Sequence, residues 1–477
     1  MLFNSFSFAI FLPITFALFW IVPKKLQWVV LFVASYIFYM CWNPEYILLI
    51  LLTTAVSYVG AIMIERNATK KRLFLTISLV ISLSVLFFFK YFNFVSKSVF
   101  TGVNSIFNTE YDPILLNIIL PVGISFYTFQ TLGYVIDVYR GTVRAERHFG
   151  KYATFISFFP QLVAGPIERT SNLLNQIKEE HKFDSLQAAY GLRLMLWGFF
   201  KKMVVADNLA VFVNKIYESP TSYDGFALIA STVFFAIQIY CDFSGYSDIA
   251  IGTAKLFGIN LMTNFDTPYF ATSIKGFWSR WHISLSTWFK DYIYIPLGGN
   301  RVSKLRHKLN LIITFLISGL WHGANWNFVI WGGIHGVAQA AESALPKRNS
   351  SNALAVKIFK GLGVFTFVLI TWVFFRAQTI FDAWHVLTRG FVGITNPIAY
   401  LRAGFNNMGM GEERLIICIF AILILFVYEL ASQKRNVIEW VGSKKRCVSW
   451  SMYFVLTLII LAWTPVSSAS EFIYFQF

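Results

Sequence analysis

Long apolar runs separated by short polar loops dominate the chain. A helix needs about 20 mostly apolar residues to cross a hydrocarbon core. Runs of that kind fall at about 5–22, 26–42, 46–64, 73–95, 114–138, 188–214, 226–256, 309–341 (interrupted), 355–375, 414–431 and 448–465. The pattern predicts an all-α membrane protein, a polytopic helical bundle of about 10 to 12 spans. The first run lacks a basic leader and a small-residue cleavage site, and its first charges, Lys24 and Lys25, come after it. It therefore reads as a spanning segment rather than a cleavable signal. No internal repeat or low-complexity tract interrupts the pattern. The chain is read as one membrane domain over residues 1–477, with a motif-bearing core at about 115–341 and peripheral spans at 1–95 and 355–465.

Charge orients these runs. Lys24 and Lys25 lie after the first, Glu45 after the second, Arg66, Lys70, Lys71 and Arg72 after the third, Glu110 and Asp112 after the fourth, and Arg140, Arg144, Arg147 and Lys151 after the fifth. Basic and non-basic loops alternate, and basic loops stay in the cytoplasm. The N-terminus is then outside. Lys434, Arg435, Lys444, Lys445 and Arg446 place the C-terminus outside as well. Both ends outside require an even number of crossings, so the eleven runs include one that does not cross or omit one that does. Composition agrees: 56% of residues are hydrophobic, 18% aromatic and only 13% charged, against about 25% charged in a soluble domain. The net charge of +16 sits in the loops, so nucleic acid is not an expected partner; membrane lipids are. Four scattered cysteines form no metal or disulfide pattern.

The middle of the chain departs from plain spans. Ser157–Pro166 (SFFPQLVAGP) is apolar, short and broken by proline and glycine. It reads as a re-entrant segment with Glu168 and Arg169 at its mouth, or else as an interfacial loop. Within 226–256, Gln238, Asp242, Gly245 and Ile249 form one helical stripe, and Cys241, Gly245, Asp248 and Gly252 form the next. Carboxylates in a span serve a functional cavity or pair with a basic side chain, and the small residues allow close helix approach. Phe277–Asn300 mixes Trp278, Trp281, Trp288, Tyr292 and Tyr294 with Arg280, Lys290 and Asp291, and reads as an interfacial helix at headgroup level.

His322 lies in Leu320-Trp321-His322-Gly323-Ala324-Asn325-Trp326, between two apolar helices and near mid-membrane. A lone histidine there is either a satisfied core residue or a base. His335, thirteen residues on, would point about 220° away on a continuous helix and is the weaker candidate. His148, His181, His307 and His385 fall in or near polar loops and read as solvated. No H-E-x-x-H, phosphate-loop or G-x-S-x-G motif is present, so neither a metal, ATP hydrolysis nor a serine hydrolase is expected.

These strings resemble the membrane-bound O-acyltransferase superfamily, in particular its bacterial branch of alginate and peptidoglycan O-acetyltransferases. The resemblance is carried by Leu12-Pro13, ILPVGISFYTFQTLGYVIDVYRG at 119–141, SFFPQLVAGPIER at 157–169, YCDFSGYSDIAIG at 240–252, FWSRWHISLSTWFKDYIYIPLGGNR at 277–301 and SGLWHGANWNFVIWGGIHG at 318–336. Departures are small: Ser279 precedes Arg280 where the family often has Arg, and Tyr240 and Cys241 precede Asp242 where Phe is more usual. The stretch after Ala377 matches weakly, which leaves its role open. The resemblance implies that the spans surround a central channel and that the intramembrane His322 and the second histidine, His282, are catalytic.

The reaction so implied is acyl transfer from a thioester to a hydroxyl. A neutral imidazole at His322 suits the task of taking the hydroxyl proton, and Asn325 or His282 would orient the ring or stabilise the oxyanion. Trp321, Asn325, Asp242, Asp248 and Arg280 are candidate substrate-binding residues. Arg169, Lys201, Lys202, Arg280 and Arg301 would face donor phosphates or lipid headgroups. The implied donor is acetyl-CoA or an acyl carrier derived from it, without a metal. The implied acceptor is an extracytoplasmic polysaccharide, reached directly or through a periplasmic SGNH-type partner, at a bacterial cytoplasmic (inner) membrane. Alternatives are D-alanyl transfer to teichoic acid and a non-catalytic transporter or channel.

Overall fold

The structure, a computed structural model, describes residues 1–163, 165–345, 353–409, 411–465 and 472–473. Among the described residues every regular element is helical. The chain forms two compact units. One comprises Met1–Ala188, Thr253–Met262 and Gly323–Asn325; the other comprises Ala189–Gly252, Thr263–His322 and Trp326–Phe477.

The first unit begins with α1 (Phe6–Ile21), α2 (Gln27–Met40), α3 (Ile47–Arg66), α4 (Lys71–Phe107) and α5 (Ile124–Arg140). The fourth apolar run extends to Phe107 as one helix with a π-helical turn at Phe87–Tyr91. The expected span at 114–138 is not one helix, because residues 108–123 are irregular up to the start of α5. Pro113 and Pro121 lack the N–H a helix needs, and Gly123 takes a left-handed φ of 76°. The side chain of Asn93 compensates: it donates to the Leu116 carbonyl at 2.9 Å and accepts from the Leu116 N–H at 2.8 Å, satisfying backbone groups that no helix serves.

The proline-broken segment lies in the same unit. α6 (Phe149–Ser157) ends, Phe158 is extended, and one turn, α7 (Phe159–Leu162), precedes α8 (Thr170–Lys178). The side chains of residues 152–163 are buried in protein, the condition under which broken backbone survives at membrane depth. Gln161 Nε2 donates to the Phe155 carbonyl and to Gln130 Oε1, both at 3.1 Å. Glu168 accepts from the Met262 N–H and from Asn172 Nδ2. Burial raises its carboxyl above the ordinary range, and those hydrogen bonds offset part of the rise.

The second unit contains most of α9 (185–218), whose residues Phe200–Ala206 are π-helical, and α10 (Phe226–Leu256) up to Gly252. The small-residue face of α10 does meet α9. A Cβ on Gly245 would stand 2.8 Å from the Gly198 carbonyl, and one on Gly252 would stand 2.5 Å from that of Gly191. After short helices α11 (Ile274–Trp278) and α12 (Ile283–Phe289), the interrupted run becomes a hairpin of α13 (Lys304–His322) and α14 (Trp326–Ala344). Its arms are antiparallel and in backbone contact. Added Cβ atoms would meet Phe328 O at 2.2 Å from Gly319, Phe315 O at 2.3 Å from Gly332 and the Ile312 Cα at 2.8 Å from Gly336.

The unit continues through α15 (Leu354–Arg376), α16 (Ile380–Arg389), α17 (Pro397–Met408), α18 (Glu412–Ser432), α19 (Val437–Gly442) and α20 (Arg446–Trp463). Arg389 clamps Asp224 through Nε and Nη2, at 2.8 and 2.9 Å. Asn436 bonds the Tyr190 hydroxyl at 3.2 Å. The loop after α9 thus lies beside the end of α16, and the loop after α18 beside the start of α9. Among the described residues, six helices are long and apolar enough to cross a membrane: 44–66, 71–107, 226–256, 354–376, 412–432 and 446–463.

Candidate active site

His322 ends α13 at the tip of the hairpin, 3% exposed. Gly323 comes next, and the chain turns through half-buried Asn325 into α14. Three rings meet the imidazole edge-on: Trp321 at 5.0 Å between centroids, Trp331 at 5.1 Å and Phe375 at 5.4 Å. Trp321 in turn faces His282 at 6.1 Å, and Trp331 faces His335 at 5.0 Å. Three histidines and two tryptophans therefore alternate in one buried row, His282–Trp321–His322–Trp331–His335. Because the hairpin folds back, His335 does not point away from this site as it would on one straight helix.

His282 sits in the sharp turn between α11 and α12 with φ 45° and ψ 53°. A left-handed conformation costs a non-glycine residue about 1–2 kcal/mol, and Asn264 holds it in place. Asn264 Oδ1 accepts from His282 Nδ1 at 3.2 Å, the Ser284 N–H at 3.3 Å and the Ser284 hydroxyl at 2.9 Å, and its carbonyl accepts from the Ile283 N–H at 2.9 Å. A carbonyl oxygen only accepts, so Nδ1 carries the proton and Nε2 the lone pair. Phe243 of α10 packs edge-on against the ring at 4.6 Å. Sequence reasoning missed Asn264, which stands in an unremarkable polar loop.

That turn also corrects the headgroup-level reading of 277–300. Trp278, Trp281 and Trp288 are buried, and only Tyr292 and Tyr294 are partly exposed. The break before His282 directs the indoles into the protein, where Trp281 meets Trp372 at 5.1 Å and Trp278 meets Trp331 at 5.7 Å.

The family model of membrane-bound O-acyltransferases matches residues 144–381, which contain the whole ring row. A probable alginate O-acetylase of Azotobacter vinelandii is 39% identical over 80% of this chain and 76% of its own length. The chain belongs to the membrane-bound O-acyltransferase family. A peptidoglycan O-acetyltransferase of Helicobacter pylori is 35% identical over 100% of this chain and 98% of its own. A teichoic acid D-alanyltransferase of Streptococcus thermophilus is 29% identical over 48% of this chain and 59% of its own. The protein is thus a multi-pass membrane acyltransferase.

Within this acyltransferase the two aspartates of α10 serve internal pairs. Lys202 Nζ lies 2.7 Å from Asp242 Oδ1 and 2.9 Å from Asp207 Oδ1, all three side chains being 3% exposed. The backbone N–H of Ile473 donates to Asp242 Oδ2 at 2.8 Å. Lys201 Nζ lies 2.7 Å from Asp248 Oδ2 and donates to Ser244 Oγ at 2.9 Å. In this structure Asp242 and Asp248 pair with Lys202 and Lys201. Buried charges require such pairing. Arg280 is half-buried and donates to Thr267 Oγ1 at 3.3 Å; Arg301 is exposed.

Proposed function

We propose that this acyltransferase moves an acetyl group from a cytoplasmic thioester, acetyl-CoA or an acyl carrier derived from it, to a hydroxyl of an extracytoplasmic polysaccharide. It acts at the bacterial cytoplasmic membrane, with both termini outside, and the group reaches the glycan directly or through a periplasmic SGNH-type partner. Relatives named for alginate and peptidoglycan acetylation cover 80–100% of the chain and support the acetyl reading over D-alanyl transfer, for which the relative covers 48%.

The observation that carries the chemistry is His322 at the tip of the broken hairpin, walled by rings. His322 takes the acceptor's proton as its oxygen attacks the acyl carbonyl, and returns that proton to the departing thiolate when the tetrahedral intermediate collapses. No net proton is gained or lost. His282 is the second catalytic histidine, with its Nε2 lone pair maintained by Asn264. Trp321, between the two, lines the substrate.

Transfer of labelled acetyl from acetyl-CoA to glycan, in membranes holding the purified chain and its partner, tests the proposal. His322→Ala should abolish transfer per folded molecule while the chain still folds and inserts. Continued transfer by that variant would reject the base assignment. Transfer of D-alanine rather than acetyl by the unsubstituted chain would reject the donor class.

A further inference from the structure

A third histidine stands in the ring row, and nothing in the transfer chemistry uses it. His335 is 1% exposed and bonded at both nitrogens. Trp278 Nε1 lies 3.2 Å from its Nδ1, and its Nε2 lies 3.0 Å from Thr371 Oγ1. An indole N–H can only donate, so Nδ1 carries the lone pair and Nε2 the proton. Thr371 Oγ1 spends its own proton on the Val368 carbonyl at 2.8 Å and so accepts from Nε2. The direction of every bond is determined: Trp278 to His335, His335 to Thr371, Thr371 to Val368. A second proton on Nδ1 would face the indole N–H, donor against donor, which makes this ring a poor proton carrier.

The chain of bonds ties α11, α14 and α15 together around Trp331. That indole is fully buried, and its Nε1 has no hydrogen-bond partner among the described residues. Packing alone orients it, against His335 at 5.0 Å, His322 at 5.1 Å, Trp278 at 5.7 Å and Trp372 at 6.0 Å. We propose that His335 is a positioning residue for acyl transfer: as a doubly hydrogen-bonded strut between Trp278 and Thr371, it holds Trp331 against His322 and thereby sets the direction of the base. This inference rests on the reading of His322 as that base.

The test uses the full chain with four variants, His335→Gln, His335→Leu, Thr371→Val and His322→Ala, each assayed per folded molecule for acetyl transfer. A carboxamide offers one acceptor and one donor and can replace both imidazole bonds, whereas leucine replaces neither. His335→Gln should keep most of kcat with an unchanged pH profile. His335→Leu should lower kcat about tenfold to a hundredfold, the range for a small misplacement of a reacting group, at an unchanged KM for the donor. Thr371→Val, which keeps side-chain shape and removes the hydroxyl that accepts from His335 and donates to the Val368 carbonyl, should lower kcat in the same direction, and it decides the matter if His335→Leu does not fold. A glutamine variant as inactive as the leucine one would make His335 a proton-transfer group and overturn the proposal. So would leucine and valine variants with full kcat. His322→Ala separates the two readings: transfer surviving that change rejects the base, whereas transfer lost there but intact in His335→Leu and Thr371→Val rejects only the strut.

Discussion

Replacing Lys202 by methionine is the sharpest test of the role assigned to the α10 aspartates. The ammonium lies 2.9 Å from Asp207 and 2.7 Å from Asp242, at 3% exposure on every side. Methionine fills the stem but strands two buried carboxylates. Breaking a buried pair from one side costs about 3–5 kcal/mol, and with two anions left facing each other the upper end is expected. Asp242→Asn is milder, because Lys202 keeps Asp207 and an amide oxygen can still accept from the Ile473 N–H; the loss of a charged acceptor is about 1.5–3 kcal/mol. The triple change Lys202→Met, Asp207→Asn, Asp242→Asn removes every charge and should recover part of the stability lost in Lys202→Met, since neutral amides cost less to bury than unpaired carboxylates. Unfolding of detergent-purified protein, monitored by fluorescence, gives the order: wild type, then triple and Asp242→Asn, then Lys202→Met lowest. Acetyl transfer per folded molecule should be similar in Asp242→Asn and wild type. A Lys202→Met protein as stable as wild type would refute the pairing argument, and an Asp242→Asn protein that is stable but inactive would return Asp242 to substrate binding.

Three other perturbations have outcomes set by the geometry. Gly319→Ala places a Cβ 2.2 Å from the Phe328 carbonyl and should destabilise the hairpin by about 1–3 kcal/mol, whereas Gly363→Ala, with nothing within 4 Å, should leave the unfolding midpoint unchanged or slightly raised. Asn264→Ala removes the oxygen that serves His282 and Ser284; it should cost about 1–3 kcal/mol and lower kcat more than it changes donor KM. Arg389 hydrogen bonding holds the Asp224 carboxyl below its ordinary value. Because the folded value is depressed, this stabilisation is present above the unfolded value of about 3.9 and is lost as pH falls through the lower folded one. The midpoint difference between wild type and Asp224→Asn should then shrink as the solution is made more acidic than that unfolded value; a difference unaltered in strong acid would contradict it.

Much of the molecule was legible along the chain. Apolar runs and loop charges specified a helical membrane protein, since lipid leaves the backbone no other partner than its own helix. The small residues of Gly245 and Gly252 foretold the close approach of α9, and the break after His322 was readable from Gly323. The motif strings also identified the family correctly. Hydropathy was silent on which surface each apolar face meets, because lipid tails are as apolar as a protein core. Trp278, Trp281 and Trp288 therefore read as interfacial although they are buried, and 114–123 read as helix although Asn93 holds it irregular. The polar partnerships were equally hidden. Lys202 with Asp242, Asn264 with His282, and His335 with Trp278 and Thr371 join residues 18 to 57 positions apart. Composition and helical period set the individual helices, whose hydrogen bonds are local. Only the packed arrangement decided which hydrogen-bond partners His282 and His335 meet, because those donors and acceptors come from other segments of the chain.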